Sequence, residues 1–161
     1  GRLMTFEDFV IGSTHDFGAH TFGRDEIVRF ATLYDPQHFH VDEEAAGASL
    51  LGGLCASGWH TASVMMGLFS RYFAREIERA RATGRQTLPL GPSPGFDDLK
   101  WMKPVFPGDR IAFTGTVKAK RESRSRPRWG IVSIETVGVN QGGERVFAYT
   151  GHVFVARGEA S

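Results

Sequence analysis

Two hydrophobic periods divide the chain. Apolar residues first recur at helical spacing, from Arg24 on, and later alternate with polar ones, cleanly from Arg110 to Lys118. Arg24-Asp25-Glu26 opens the first helix, with its acids at the positive end and Ile27, Phe30 and Ala31 on one face. Pro36 disfavours helical geometry at Asp35, so this helix is predicted to end near Tyr34. Asp42 to Ala46 offers one further turn. Ser57 is the N-cap expected for the longest helix, Gly58 to Ala82, about 37 Å at the usual rise. Its first half (Trp59, Ala62, Val64, Met65, Met66, Leu68, Phe69) is apolar on most sides, and its second half is rich in Arg and Glu. That pattern predicts a helix buried at its start and emerging at its end, where Thr83-Gly84 stops it. Strands are predicted at Thr14–Phe22, Asp97–Met102, Arg110–Lys118, Trp129–Val139 and Arg145–Ala156, with a hairpin turn at Gln141-Gly142-Gly143. In the third of these, Ile111, Phe113 and Val117 face one way, and Arg110, Thr114, Thr116 and Lys118 the other. A proline-punctuated loop, Leu88 to Gly95, precedes the second strand.

This order makes an α+β domain spanning residues 1–161. About five antiparallel strands curl round one apolar helix, and the open edge and uncovered face call for a second copy of the chain. Nineteen basic residues against 18 acidic ones leave a formal charge of +1, which gives no footprint for nucleic acid. Ala45 to Ser70 carries no Asp, Glu, Lys or Arg, but its glycines, serines and His60 make it too broken and too polar for a membrane span. The single cysteine, Cys55, fits a reducing compartment. Gly1-Arg2-Leu3-Met4 shows no secretory pattern, so a cytoplasmic location is expected.

Candidate chemistry concentrates in Tyr34-Asp35-Pro36-Gln37-His38-Phe39-His40-Val41-Asp42. Asp35 and His40 flank a proline, so the chain turns between them and both can reach one pocket. Partial burial is expected to raise the proton affinity of Asp35, and His40 supplies an imidazole that can take or give a proton. Gly52 to Gly58 runs into the long helix, whose first N–H groups lack intrahelical acceptors. Gly58 lets a ligand approach the backbone there, a place to hold a carbonyl oxygen as it gains negative charge. A metal reading of His38, His40 and Asp42, alternating on an extended segment, lacks a supporting Cys cluster or His pair, so no metal or cofactor is expected. A Ser–His–Asp hydrolase lacks its Gly-x-Ser-x-Gly elbow. Cys55 reads as a packing residue, and the basic run Lys118 to Arg128 as a solvated hairpin.

Three segments resemble the MaoC-like dehydratases, relatives of the (R)-specific enoyl-CoA hydratases. They are the Tyr34–Asp42 motif, Gly52-Gly53-Leu54-Cys55-Ala56-Ser57-Gly58-Trp59-His60-Thr61, and Ser93-Pro94-Gly95-Phe96-Asp97-Asp98-Leu99-Lys100-Trp101 with the Lys103-Pro104-Val105 and Pro107-Gly108-Asp109 that follow. The resemblance implies a hot-dog fold, a curved antiparallel sheet wrapped round a long central helix, assembled at least as a homodimer. It implies reversible addition of water to a 2-enoyl-CoA thioester, with Asp35 and His40 as the catalytic acid/base pair. Gly58, capped by Ser57, would be the backbone donor at the thioester oxygen. Two positions depart from the family pattern: Pro36 directly follows Asp35, where the fatty enoyl-CoA hydratases usually carry an Asn-Pro pair between the catalytic residues, and His38 stands where MaoC-like sequences often have proline. An acyl-CoA thioesterase and a non-catalytic acyl-CoA binding subunit are the alternatives on the same scaffold.

Overall fold

The computed structural model describes residues 5–85 and 90–158. Leu88 and Pro89 of the proline-punctuated loop, and the first four residues, lie outside the described residues. The elements are β1 (Thr14–Thr21), α1 (Arg24–Tyr34), α2 (His38–Val41), α3 (Glu43–Gly47), α4 (Gly58–Ala82), β2 (Gly95–Trp101), β3 (Arg110–Glu122), β4 (Trp129–Val139) and β5 (Arg145–Ala156). Five antiparallel strands run in the order β1-β3-β4-β5-β2, so β1 and β2 are the edges. The sheet curves round α4 in the hot-dog arrangement.

Alternation in β3 and β4 selects the face that meets α4. Ile111, Phe113 and Val117 are buried while Arg110, Thr114 and Lys118 are exposed, as their spacing predicts. The contact between α4 and the sheet is largely aromatic. Phe17 of β1 lies edge-on to Phe69 at 5.2 Å and tilted against Phe73 at 5.8 Å. The ring of Phe17 fills the space that a side chain on β3 would take, since a Cβ on Gly115 would lie 2.5 Å from it. Aromatic burial of this kind is the main stabilising term where helix meets sheet.

Local chemistry sets the helix ends. The Gly23 N–H donates to Glu26 Oε1 at 2.6 Å at the start of α1. Asp42 caps α3 by accepting from the Glu44 and Ala45 N–H groups. Ser57 caps α4 by accepting from the Trp59 N–H. Gly84, at φ +76°, follows the last turn of α4 in the left-handed conformation that suits glycine.

Burial of α4 differs from the expectation. Its first half is not enclosed on all sides: Trp59 is 52% exposed and Met66 43% exposed within the single chain. Its charged half in turn contains a buried acid, Glu76, held by Arg79 Nη1 at 3.0 Å. The sheet covers one side of the helix, and an apolar stripe wider than that side leaves residues for another surface to cover. Among the described residues, no helix is long and apolar enough to cross a membrane.

Candidate active site

Asp35 is where α1 stops. Its N–H still donates to the Ala31 carbonyl at 2.8 Å, but its backbone has left the helix at φ −154° and ψ 68°. Pro36 enforces that exit. The expected loop after it contains one helical turn, α2, which returns His40 to the interior while His38 stays exposed. His38, His40 and Asp42 therefore do not lie alternately on an extended segment. Asp42 is spent capping α3, and no metal-binding group of His, Cys, Asp or Glu forms among the described residues.

The His40 ring is 7% exposed, and its Nδ1 lies 2.6 Å from the Cys55 carbonyl oxygen. A carbonyl only accepts, so Nδ1 carries a proton and Nε2 is the nitrogen available for chemistry. Nε2 is 3.4 Å from Asp35 Oδ2. The same carboxylate accepts from Ser57 Oγ at 2.8 Å and from Gln37 Nε2 at 2.7 Å. Burial pushes the Asp35 carboxyl up, but the donors Gln37 and Ser57, together with His40, outweigh it, and the pKa lies below the ordinary carboxylate value. This reverses the expected rise in proton affinity, because hydrogen bonds made to the anion stabilise it. Asp35 is thus an anion near neutral pH and a proton acceptor rather than a resident acid. Burial also pushes the Cys55 thiol up to about 11, with the Asp35 charge adding to it. Cys55 is a packing residue whose backbone orients His40.

Ser57 joins the pair to α4. It is fully buried, accepts from the Trp59 N–H and donates to Asp35. Gly58 follows as the first residue of the helix, with the positive end of the helix dipole behind its N–H. His40 and Gly58 line one cavity of about 280 Å³, together with Thr61, Trp101, Val105 and Val146. The close approach at Gly58 has a different origin from the one expected. The indole of Trp101 occupies that space, 2.3 Å from where a Cβ would sit, and its Nε1–H donates to the Gly58 carbonyl at 2.9 Å. A larger groove of about 690 Å³ lies between α4 and β5, with Met66, Phe69 and Tyr149 in its walls, and does not include His40; Asp35 lines neither cavity and adjoins the smaller one through His40. His40, the carboxylate beside it and the Gly58 end of α4, rather than size, mark the smaller cavity as the candidate site.

Asp35, His40, Ser57 and Gly58 are therefore brought together. Gln37 and Trp101 were missed. Gln37 lies inside the motif, and its amide donor was a readable signal. Trp101 reaches Gly58 only through the pairing of β2 with β5, which no local pattern announces. A second polar cluster also escaped notice, in which Glu26 lies 3.0 Å from His20 Nε2 and 3.6 Å from His60 Nε2. His60 stacks on Phe30 at 4.7 Å, and burial lowers its pKa. A Ser–His–Asp chain does exist, on β4, β5 and β2. His152 lies 2.8 Å from Ser133 Oγ and 2.7 Å from Asp97 Oδ2, but Asp97 is 69% exposed and none of the three lines the His40 cavity. The basic hairpin is partly engaged locally, with Lys120 over the Phe6 ring and Arg126 over Phe154.

A family model described as MaoC like domain matches residues 8–139. The solved MaoC-like dehydratase from Rhodospirillum rubrum is 37% identical with a TM-score of 0.80, covering 98% of this chain and 100% of that chain. The uncharacterized protein YdeM of Bacillus subtilis is 27% identical over 146 residues, 89% of this chain and 93% of that protein. The mesaconyl-CoA hydratase of Cereibacter sphaeroides is 40% identical over 63 residues, 39% of this chain and 18% of that protein.

Proposed function

The chain belongs to the MaoC-like domain family, and from that footing we propose a hydratase/dehydratase that adds or removes water across the double bond of a 2-enoyl-CoA thioester. The observation that carries the proposal is the convergence of Asp35, His40 and the Gly58 end of α4. The CoA thioester is favoured by the name of the mesaconyl-CoA hydratase, which shares sequence with part of this chain.

In this reading the thioester carbonyl oxygen accepts from the Gly58 N–H. The helix dipole stabilises the negative charge that grows on that oxygen as water adds to C3. His40 Nε2 and Asp35 hold the attacking water. The water oxygen bonds to C3, its departing proton passes to the pair, and a proton from the pair goes to C2. C3 gains a hydroxyl, C2 gains a hydrogen, and the pair returns to its starting charge. Dehydration is the reverse. Gln37 and Ser57 keep Asp35 anionic and aimed at His40.

The working unit is a homodimer. The open outer edge of β2 and the exposed Trp59, Met66 and Phe96 support a second copy covering this side of α4. Light scattering tests it, with twice the chain mass expected and the monomer mass refuting it. Incubation with crotonyl-CoA tests the activity. Loss of the conjugated double bond without release of free thiol is expected. Thiol release would instead identify a thioesterase, and an unchanged bound thioester would identify a binding subunit.

A further inference from the structure

Trp101 stands at the last position of an edge strand, yet its indole reaches the start of the central helix. Three contacts hold it there. Its Nε1–H donates to the Gly58 carbonyl at 2.9 Å, its ring lies against the Gly58 Cα, and Trp59 packs edge-on at 5.1 Å and 78°. The ring is 43% exposed, so one face meets Gly58 while the other is open. Gly58 and Trp101 both line the cavity that holds His40. An acyl group whose carbonyl oxygen reaches the Gly58 N–H must therefore lie beside the indole.

The cavity is small, about 280 Å³, below the usual range for sites that enclose a drug-sized ligand. The larger apolar groove between α4 and β5, with room for a long alkyl chain, shares no lining residue with it. An acyl tail that starts at His40 and Gly58 would meet the wall that Trp101 lines with Met102 and Val105.

We infer that Trp101 is the specificity-determining residue of the site, restricting it to short-chain acyl thioesters of crotonyl size. The inference rests on the proposed function, which names the thioester but not its length. Shortening the side chain opens the wall and leaves Asp35, His40 and the Gly58 N–H in place.

The experiment compares hydration of crotonyl-CoA and octenoyl-CoA by the wild type, Trp101→Ala and Trp101→Phe. The wild type should favour crotonyl-CoA in kcat/KM by at least about 100-fold, since a single methylene in a hydrophobic pocket is worth about 10- to 200-fold. Trp101→Ala should shrink that preference by at least about 10-fold, and Trp101→Phe should fall between. Equal use of both substrates by the wild type overturns the inference, as does an unchanged ratio in Trp101→Ala. A second arm measures calorimetric binding of butyryl-CoA and octanoyl-CoA, which need no turnover. There Trp101→Ala should gain octanoyl-CoA affinity relative to butyryl-CoA. A wild type that hydrates neither substrate refutes the hydratase reading alone, and the binding arm then decides the role of Trp101. If Trp101→Ala fails to fold, the Phe variant carries both arms, and an unchanged ratio in it overturns the inference.

Discussion

Placing one methyl group on Gly58 should cost the fold stability, and should do so only while Trp101 is present. A Cβ there would lie 2.3 Å from indole Cε2 and 2.6 Å from Cδ2 and Nε1. These are atoms of the ring body, so a small rotation cannot clear them, and the half-exposed indole must swing outward. It then loses its hydrogen bond to the Gly58 carbonyl, worth about 0.5–1.5 kcal/mol. It also uncovers roughly 100 Å² of apolar surface, about 2.5 kcal/mol at the usual coefficient if no contact is regained. Alanine recovers up to about 1 kcal/mol through its helix propensity, less at the first position of a helix. The expected net loss for Gly58→Ala is about 2–4 kcal/mol when no contact is regained, a drop in Tm of about 4–16 °C for a chain of this size. Urea denaturation of the wild type, both single variants and the double variant Gly58→Ala/Trp101→Ala reads the coupling. With the indole gone the three atoms nearest the methyl group go with it, so the two losses should fall short of additivity by at least about 1 kcal/mol. A Gly58→Ala protein as stable as the wild type, or an additive cycle, would refute the packing argument.

Ser57→Ala removes both the cap of α4 and a donor to Asp35, and should destabilise the fold by about 1–2 kcal/mol. The Asp35 pKa should rise toward its ordinary value, moving the acid limb of the kcat/KM profile to higher pH, and an unmoved limb would contradict the proposed support. Stability should also fall on acidification. Burial depresses the His60 pKa, so the folded state keeps the ring neutral while the unfolded chain protonates near pH 6.5. That contribution is complete above pH 6.5 and is lost as pH falls toward the folded value. Glu26 and Asp35, both held below their ordinary values, lose theirs at lower pH still, below about 4.5. Urea midpoints at pH 7.5 and 5.5 should differ in that direction, and His60→Phe should flatten the difference. Equal midpoints in the wild type would count against the buried neutral imidazole.

Local signals carried much of the fold. Ser57 and Thr83-Gly84 bracket α4 at the residues expected, and the β-branched run of β4 and the strand expected over Arg145–Ala156 have the observed limits. Asp35, His40, Ser57 and Gly58 were legible because a proline and a helix cap sit beside them. What stayed hidden depends on contacts distant along the chain. The donor that helps lower the Asp35 proton affinity is Ser57, 22 residues away, and the residue that fills the space at Gly58 is Trp101, 43 residues away. The exposed face of α4 was hidden for a related reason. Hydrophobic periodicity says which positions seek cover, but not whether the same chain supplies it.

Asp35→Asn and His40→Ala, assayed for crotonyl-CoA hydration with thermal unfolding as a control on folding, put the assigned chemistry to trial. Each should lose at least about 100-fold in kcat while still unfolding cooperatively, the scale usual for a positioned acid or base. If both folded variants hydrate crotonyl-CoA at wild-type rates, Asp35 and His40 are not the pair that moves the proton.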